Sequence, residues 1–85
     1  MTYLIDYDLN SPGKDYTGLI EHLKSTYSWA KICRSSWAVK SNLSAVQIRD
    51  DLRRYLDSND RLFVVEFDDW AAYNLSEQVV QWLKK

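Results

Sequence analysis

Between Tyr3 and Tyr27 the spacing of apolar side chains changes once, from two to three or four, and that change fixes what the chain can fold into. Tyr3, Ile5 and Tyr7 alternate with Leu4, Asp6 and Asp8, the period of a strand with one buried face running from Tyr3 to Asp8. Asn10-Ser11-Pro12-Gly13 interrupts it, because proline fixes φ and glycine tolerates turn geometry. From Asp15 onward Tyr16, Leu19, Ile20, Leu23 and Tyr27 fall at i, i+3, i+4, i+7 and i+11, which makes one apolar face of a helix. Trp29 to Cys33 and Ser36 to Lys40 are each too short for a stable helix and rich in Trp, Ile and Val, so both read as strands.

Leu43-Ser44-Ala45-Val46-Gln47-Ile48 carries the clearest local signal. Ser44 predicts an N-cap, Gln47 three residues on completes a capping box, and Leu43 with Ile48 is spaced as a hydrophobic staple. Ala45, Ile48, Leu52, Tyr55 and Leu56 form the buried stripe of this second helix, with Asp50 and Arg54 as an i, i+4 pair on its exposed side. Asp57 to Asp60 is a turn. Arg61 to Phe67 follows as the strongest strand, its Leu62-Phe63-Val64-Val65 run reading as buried on both faces, as in a central or interface strand. Trp70 to Leu75 fits either a loop or a short strand. Ser76 then caps a final short helix carrying Val79, Val80 and Leu83.

The order is β-α-β-β-α-β with a short C-terminal extension over residues 70–85. It predicts an α+β domain of the ferredoxin-like, split βαβ type, in which a four-stranded antiparallel sheet carries two helices on one face. Eighty-five residues suffice for one such domain, spanning 1–85. A net charge of −1 supplies no global attraction for nucleic acid or an anionic membrane, so such binding requires local clustering of the 11 basic residues. The single cysteine, Cys33, excludes an intramolecular disulfide. No apolar run approaches the roughly 20 residues of a membrane span, and Asp6 and Asp8 interrupt any signal-peptide pattern. The expectation is a cytoplasmic protein with no membrane partner.

Several of these segments resemble a known family. Tyr3-Leu4-Ile5-Asp6-Tyr7-Asp8-Leu9-Asn10 resembles the first strand of the small CRISPR-associated adaptation proteins, an apolar run ending in Tyr-Asp. Cys33-Arg34-Ser35-Ser36-Trp37-Ala38-Val39 is similar to that family's junction of second and third strands. Leu43 to Ile48 and Phe63-Val64-Val65 are similar to its second helix and fourth strand. A closer likeness is to the SinR-like branch, in Tyr7-Asp8-Leu9-Asn10, Pro12-Gly13-Lys14-Asp15-Tyr16, Leu19-Ile20, Ser35-Ser36-Trp37, Ser58-Asn59-Asp60 and Trp82-Leu83-Lys84. The likeness covers nearly the whole chain. It implies a ferredoxin-like homodimer, and across this family and the related VapD toxins the activities range from metal-dependent nuclease to non-catalytic scaffold holding DNA.

By that resemblance Asp8 matches the family's acidic residue at the end of the first strand, as metal ligand and catalytic residue. Two copies facing across a dimer would hold one Mg²⁺ or Mn²⁺ able to polarise a phosphate oxygen of RNA or DNA. The alternative is that Asp8 accepts backbone hydrogen bonds in the turn from Asp8 to Gly13. Asp6 shares the even-numbered side of the strand, and Asp68 and Asp69 close the last one. His22 falls beside the apolar stripe of the first helix, a surface position. Ser35 and Ser36 have no nearby base and read as turn residues, and Cys33 reads as a small buried hydrophobe. Arg34, Lys40, Arg49, Arg53, Arg54 and Arg61 are the candidate phosphate contacts, against a solvated helix face offset by Asp50 and Asp51. Trp29, Trp37, Trp70 and Trp82 offer stacking surfaces for bases or, more commonly, core packing. Two functions stay open: a metal-dependent endonuclease acting as a dimer, and a non-catalytic dimeric scaffold.

Overall fold

A computed structural model describes all residues from Met1 to Lys85. The elements are β1 (Thr2–Asp8), α1 (Thr17–Thr26), β2 (Ser28–Cys33), β3 (Ser36–Lys40), α2 (Ala45–Arg53), β4 (Arg61–Glu66) and α3 (Glu77–Lys84). The four strands form one open antiparallel sheet in the order β2-β3-β1-β4. Since β1 and β2 both run antiparallel to β3, and β3 and β4 both run antiparallel to β1, each of the first two helices returns the chain to a strand of the original direction. No helix is long and apolar enough to cross a membrane.

The alternation in β1 decides which side each helix occupies. Tyr3, Ile5 and Tyr7 are buried in one core with Leu19 and Leu23 of α1, Ile48 and Leu52 of α2, and Trp37 and Val39 of β3. Trp37 is 1 % exposed, and its indole N–H donates to the Tyr7 hydroxyl at 2.9 Å, which satisfies the one polar atom it carries into the core. Leu4, Asp6 and Asp8 occupy the opposite face of the sheet. There α3 covers the half built by β2 and β3, burying Ala30 and Ala38. Trp82 of α3 donates from its indole N–H to the Ser28 hydroxyl at 3.2 Å, and Lys40 donates to the Trp82 carbonyl at 2.6 Å. The other half, made by β1 and β4, carries no helix.

The capping box at α2 is present in full: Gln47 N–H donates to Ser44 Oγ at 3.2 Å, and Ser44 N–H donates to Gln47 Oε1 at 2.9 Å. Ser76 likewise accepts from Val79 N–H at 3.2 Å. Trp70 to Leu75 forms no strand and contains Asn74 at φ 62°, a left-handed residue that turns the chain toward α3. The Asp50–Arg54 pair is replaced. Arg54 stands at the C-cap, past the last helical residue, and turns onto Asp51, while Asp50 takes Arg49 and Arg53.

The strand read as central or interface lies at the edge, which removes the central alternative. β4 pairs only with β1; Leu62 and Val64 face the helices, whereas Phe63 on the open side is 62 % exposed. Phe67 N–H bonds the Thr2 carbonyl, so by the alternation of an antiparallel ladder Val65, Phe63 and Arg61 also direct their backbone groups at β1. Leu62, Val64 and Glu66 then point theirs outward, and no other segment bonds this edge.

Ser44→Ala should lower stability by about 1 kcal/mol through loss of the cap. Urea denaturation checks this, and a midpoint equal to wild type would contradict the assignment.

Candidate functional site

Asp6 and Asp8 project from the uncovered half of the sheet because their parity is opposite to that of Tyr3, Ile5 and Tyr7. With Tyr7, Arg61, Leu62 and Phe63 they line a shallow cleft of about 470 Å³. Asp8 stands opposite Arg61 in the ladder, and Asp6 stands between Ser36 and Phe63. Ser36 donates its hydroxyl to Asp6 at 2.8 Å, so this serine steadies a carboxylate. Asp8 is exposed and its carboxylate makes no hydrogen bond or ion pair within the chain.

Asp60 performs the turn chemistry considered for Asp8. One of its oxygens accepts from Asn10 N–H at 2.7 Å and from the Tyr16 hydroxyl at 2.6 Å; the other accepts from Asp57 N–H at 2.8 Å. Its partial burial acts to raise its pKa, but the bonds from Tyr16, Asp57 and Asn10 outweigh this and hold it below the ordinary carboxylate range. Lys14 closes the same loop cluster on Asp57 at 2.8 Å. The Asp8 carboxylate is thereby left out of the turn, to which Asp8 contributes only its backbone carbonyl, accepting from Asn10 Nδ2–H at 3.4 Å.

The candidate cations separate into two groups. Arg49, Arg53 and Arg54 are each paired with a carboxylate of their own helix, at 2.9, 3.5 and 2.5 Å. Arg34 lies in the exposed β2–β3 turn, and Lys40 is committed to α3 through the Trp82 carbonyl. Arg34 and Lys40 form no ion pair. Asp68 and Asp69 follow β4 at the end of the sheet where Phe67 meets Thr2, so they lie at the opposite end of β1 from Asp8. Cys33 is exposed and not buried, since it sits past the register shift between Lys31 and Cys33, beside the turn. No three His, Cys, Asp or Glu side chains gather as a metal-holding group.

The residue spacing gave no sign of a cluster at the α1–α2 contact. Asp51 accepts from His22 Nε2 at 2.7 Å, from the Tyr27 hydroxyl at 2.6 Å and from Arg54 at 2.5 Å. His22 is only partly exposed, its ring lying 5.0 Å from that of Tyr55. Burial acts to raise the Asp51 carboxyl, yet the donors Tyr27, His22 and Arg54 together hold it below its ordinary value of 3.8. Burial first, then the bond to Asp51, pushes the Tyr27 phenol well above its usual range. The Nδ1 of His22 faces the Thr26 hydroxyl at 3.3 Å, so both ring nitrogens are engaged. This cluster is a clamp between two helices and leaves no free base for chemistry.

No protein-family model matches the chain, and a search of curated proteins finds no match.

The clamp makes stability depend on acid pH. Because the folded Asp51 pKa is depressed, its contribution is present above the unfolded value of about 3.9 and is lost as pH falls through the lower folded value. Asp51→Asn should cost about 2 kcal/mol at neutral pH, the scale of hydrogen bonds to a charged group. Thermal melts across the acid range should show that gap narrowing below about pH 4; a pH-independent gap would contradict the charged clamp.

Proposed function

We propose that the chain is a homodimeric scaffold that holds nucleic acid, built on a ferredoxin-like split βαβ frame akin to the SinR-like branch of the CRISPR-associated and VapD proteins. The frame reading is supported by the order β2-β3-β1-β4 and by crossovers that each leave one antiparallel strand between the strands they join.

The observation that carries the function is where unpaired positive charge lies. Of 11 Lys and Arg, Lys14, Arg49, Arg53 and Arg54 form carboxylate pairs, leaving seven. Arg61 stands beside Asp8; the other six, Lys24, Lys31, Arg34, Lys40, Lys84 and Lys85, belong to β2, β3, their turn, α3 and the adjoining end of α1. Of those six only Arg34, next to the Ser35 carbonyl that takes the Tyr7 N–H, lies at the Asp8 end of the sheet. A polyanion held mainly by the five lysines would be kept off Asp6 and Asp8, which favours holding over cutting.

Dimer formation is supported by the outward backbone groups of Leu62, Val64 and Glu66 beside exposed Phe63 and Val46. If two β4 edges pair, the β1 strands lie three strand spacings apart, at least about 14 Å. Two Asp8 carboxylates that far apart share no cation.

The endonuclease reading keeps one observation in its favour, the unengaged Asp8 carboxylate with Asp6 on the same face. That pair fits a Mg²⁺ or Mn²⁺ ion that retains most of its waters, as Mg²⁺ sites with one or two carboxylates do. Such an ion would supply charge stabilisation to a phosphate.

Light scattering at tens of micromolar should give a dimer mass, and Phe63→Glu should shift it to monomer with the far-UV spectrum unchanged. A monomeric wild type would contradict the pairing. Purified wild type should bind single- or double-stranded RNA or DNA without cleaving it, with or without Mg²⁺ or Mn²⁺. Metal-dependent cleavage abolished by Asp8→Asn would replace the scaffold with the nuclease.

A further inference from the structure

Trp29 is 38 % exposed on β2, an edge strand with α3 alongside it. Trp29, Ala30, Lys31, Gln78, Val79 and Trp82 line a cleft of about 370 Å³ that wraps this edge. The volume falls at the lower end of the range for small-molecule sites. We propose that this edge is a stacking site for single-stranded nucleic acid that passes from Trp29, on the α1 side of the sheet against Trp37, round to Trp82 on the α3 side, each indole receiving a base while Lys24, Lys31 and Arg34 meet phosphates.

Three features support that occupant. First, the backbone here is unpaired. Ser41 N–H bonds the Met1 carbonyl and Tyr7 N–H bonds the Ser35 carbonyl, so odd residues of β3 face β1 and even ones face β2. Ser28 and Ala30 therefore bond β3, and Trp29 and Lys31 turn their amides and carbonyls outward into the cleft. Those groups are available to base edges or sugar hydroxyls.

Second, the tryptophans are paired with cations and not with acids. Lys24 Nζ lies 5.2 Å from the Trp29 ring centroid, Lys31 Nζ lies 5.3 Å from that of Trp37, and Lys40 Nζ lies 4.4 Å from that of Trp82. None of these lysines forms an ion pair. A lysine on a flexible stem over an indole is placed to take the phosphate of a nucleotide whose base stacks nearby.

Third, the chemistry selects a single strand over a duplex. Paired bases keep their faces within the stack, whereas unpaired bases offer them to aromatic side chains. Trp37, buried and bonded to Tyr7, takes no part and instead holds Trp29 edge-on at 5.3 Å.

The site deepens the nucleic-acid reading above and rests on it, so the test separates the two. The probes are fluorescently labelled oligouridylate and oligothymidylate, a duplex of matched length, and polyglutamate as competitor. Wild type should bind the single strands with quenching of tryptophan emission, and the duplex and polyglutamate should compete poorly. Trp29→Ala should weaken single-strand binding by about tenfold, within the range for loss of one stacked base, and Trp29→Phe should restore most of it. Lys31→Ala should reduce the slope of log affinity against log salt by about one. Unchanged affinity in Trp29→Ala, or a preference for duplex or polyglutamate, would overturn the stacking site and leave the scaffold standing. Failure of wild type to bind any nucleic acid at low salt would overturn both. Circular dichroism of each variant confirms that a loss reflects the site and not the fold.

Discussion

The structure depends on β1 serving two neighbours and two faces at once. Its odd residues bond β3 and bury Tyr3, Ile5 and Tyr7 beneath both crossover helices, while its even residues bond β4 and carry Asp6 and Asp8 outward. A slip of one residue would drive two carboxylates into the core and expel two tyrosines, so the register is strongly specified. The buried bond from Trp37 to the Tyr7 hydroxyl adds a directional restraint at the same crossing, since an unpaired indole N–H there would cost its desolvation. Everything functional follows from that placement. The acidic cleft lies on the uncovered half, α3 occupies the other half, and the two edges of the sheet face different surroundings.

Those edges differ in chemistry. β4 presents Leu62, Phe63 and Val64 with an outward backbone at alternate residues, the character of a strand open to further pairing. β2 presents Trp29 and Lys31 beside an amphipathic helix, with uncompensated positive charge around it. A net charge of −1 conceals this separation, because it averages a paired arginine face on α2 with unpaired lysines elsewhere. Carboxylate pairing, and not the number of basic residues, determines which cations remain available to a phosphate.

The sequence made much of the fold legible because its signals are local. The period in β1, the stripe of α1 and the Ser44–Gln47 box each involve residues within a few positions, and each element formed where its pattern placed it. The position of β4 was not legible. An unbroken run from Leu62 to Val65 is compatible with cover on both faces, and only the third dimension shows that α3 covers β2 instead. The site residues were harder for the same reason. Asp60 reaches Asn10 across 50 residues and Asp51 reaches His22 across 29, pairs with no periodic signature. Asp8 was rightly placed at the strand end, but its turn role passed to Asp60, whose position in Ser58-Asn59-Asp60 marked only a turn.

The proposed division of labour sets nucleic acid along β2 and a second copy of the chain along β4. Residue-resolved amide exchange, with and without a saturating single-stranded oligonucleotide, tests it most directly. New protection is expected at the amides of Trp29 and Lys31, with those of Leu62, Val64 and Glu66 already protected by the proposed β4 pairing and unchanged. Protection appearing instead along β4 and around Asp8, with Trp29 and Lys31 exchanging as before, would contradict it.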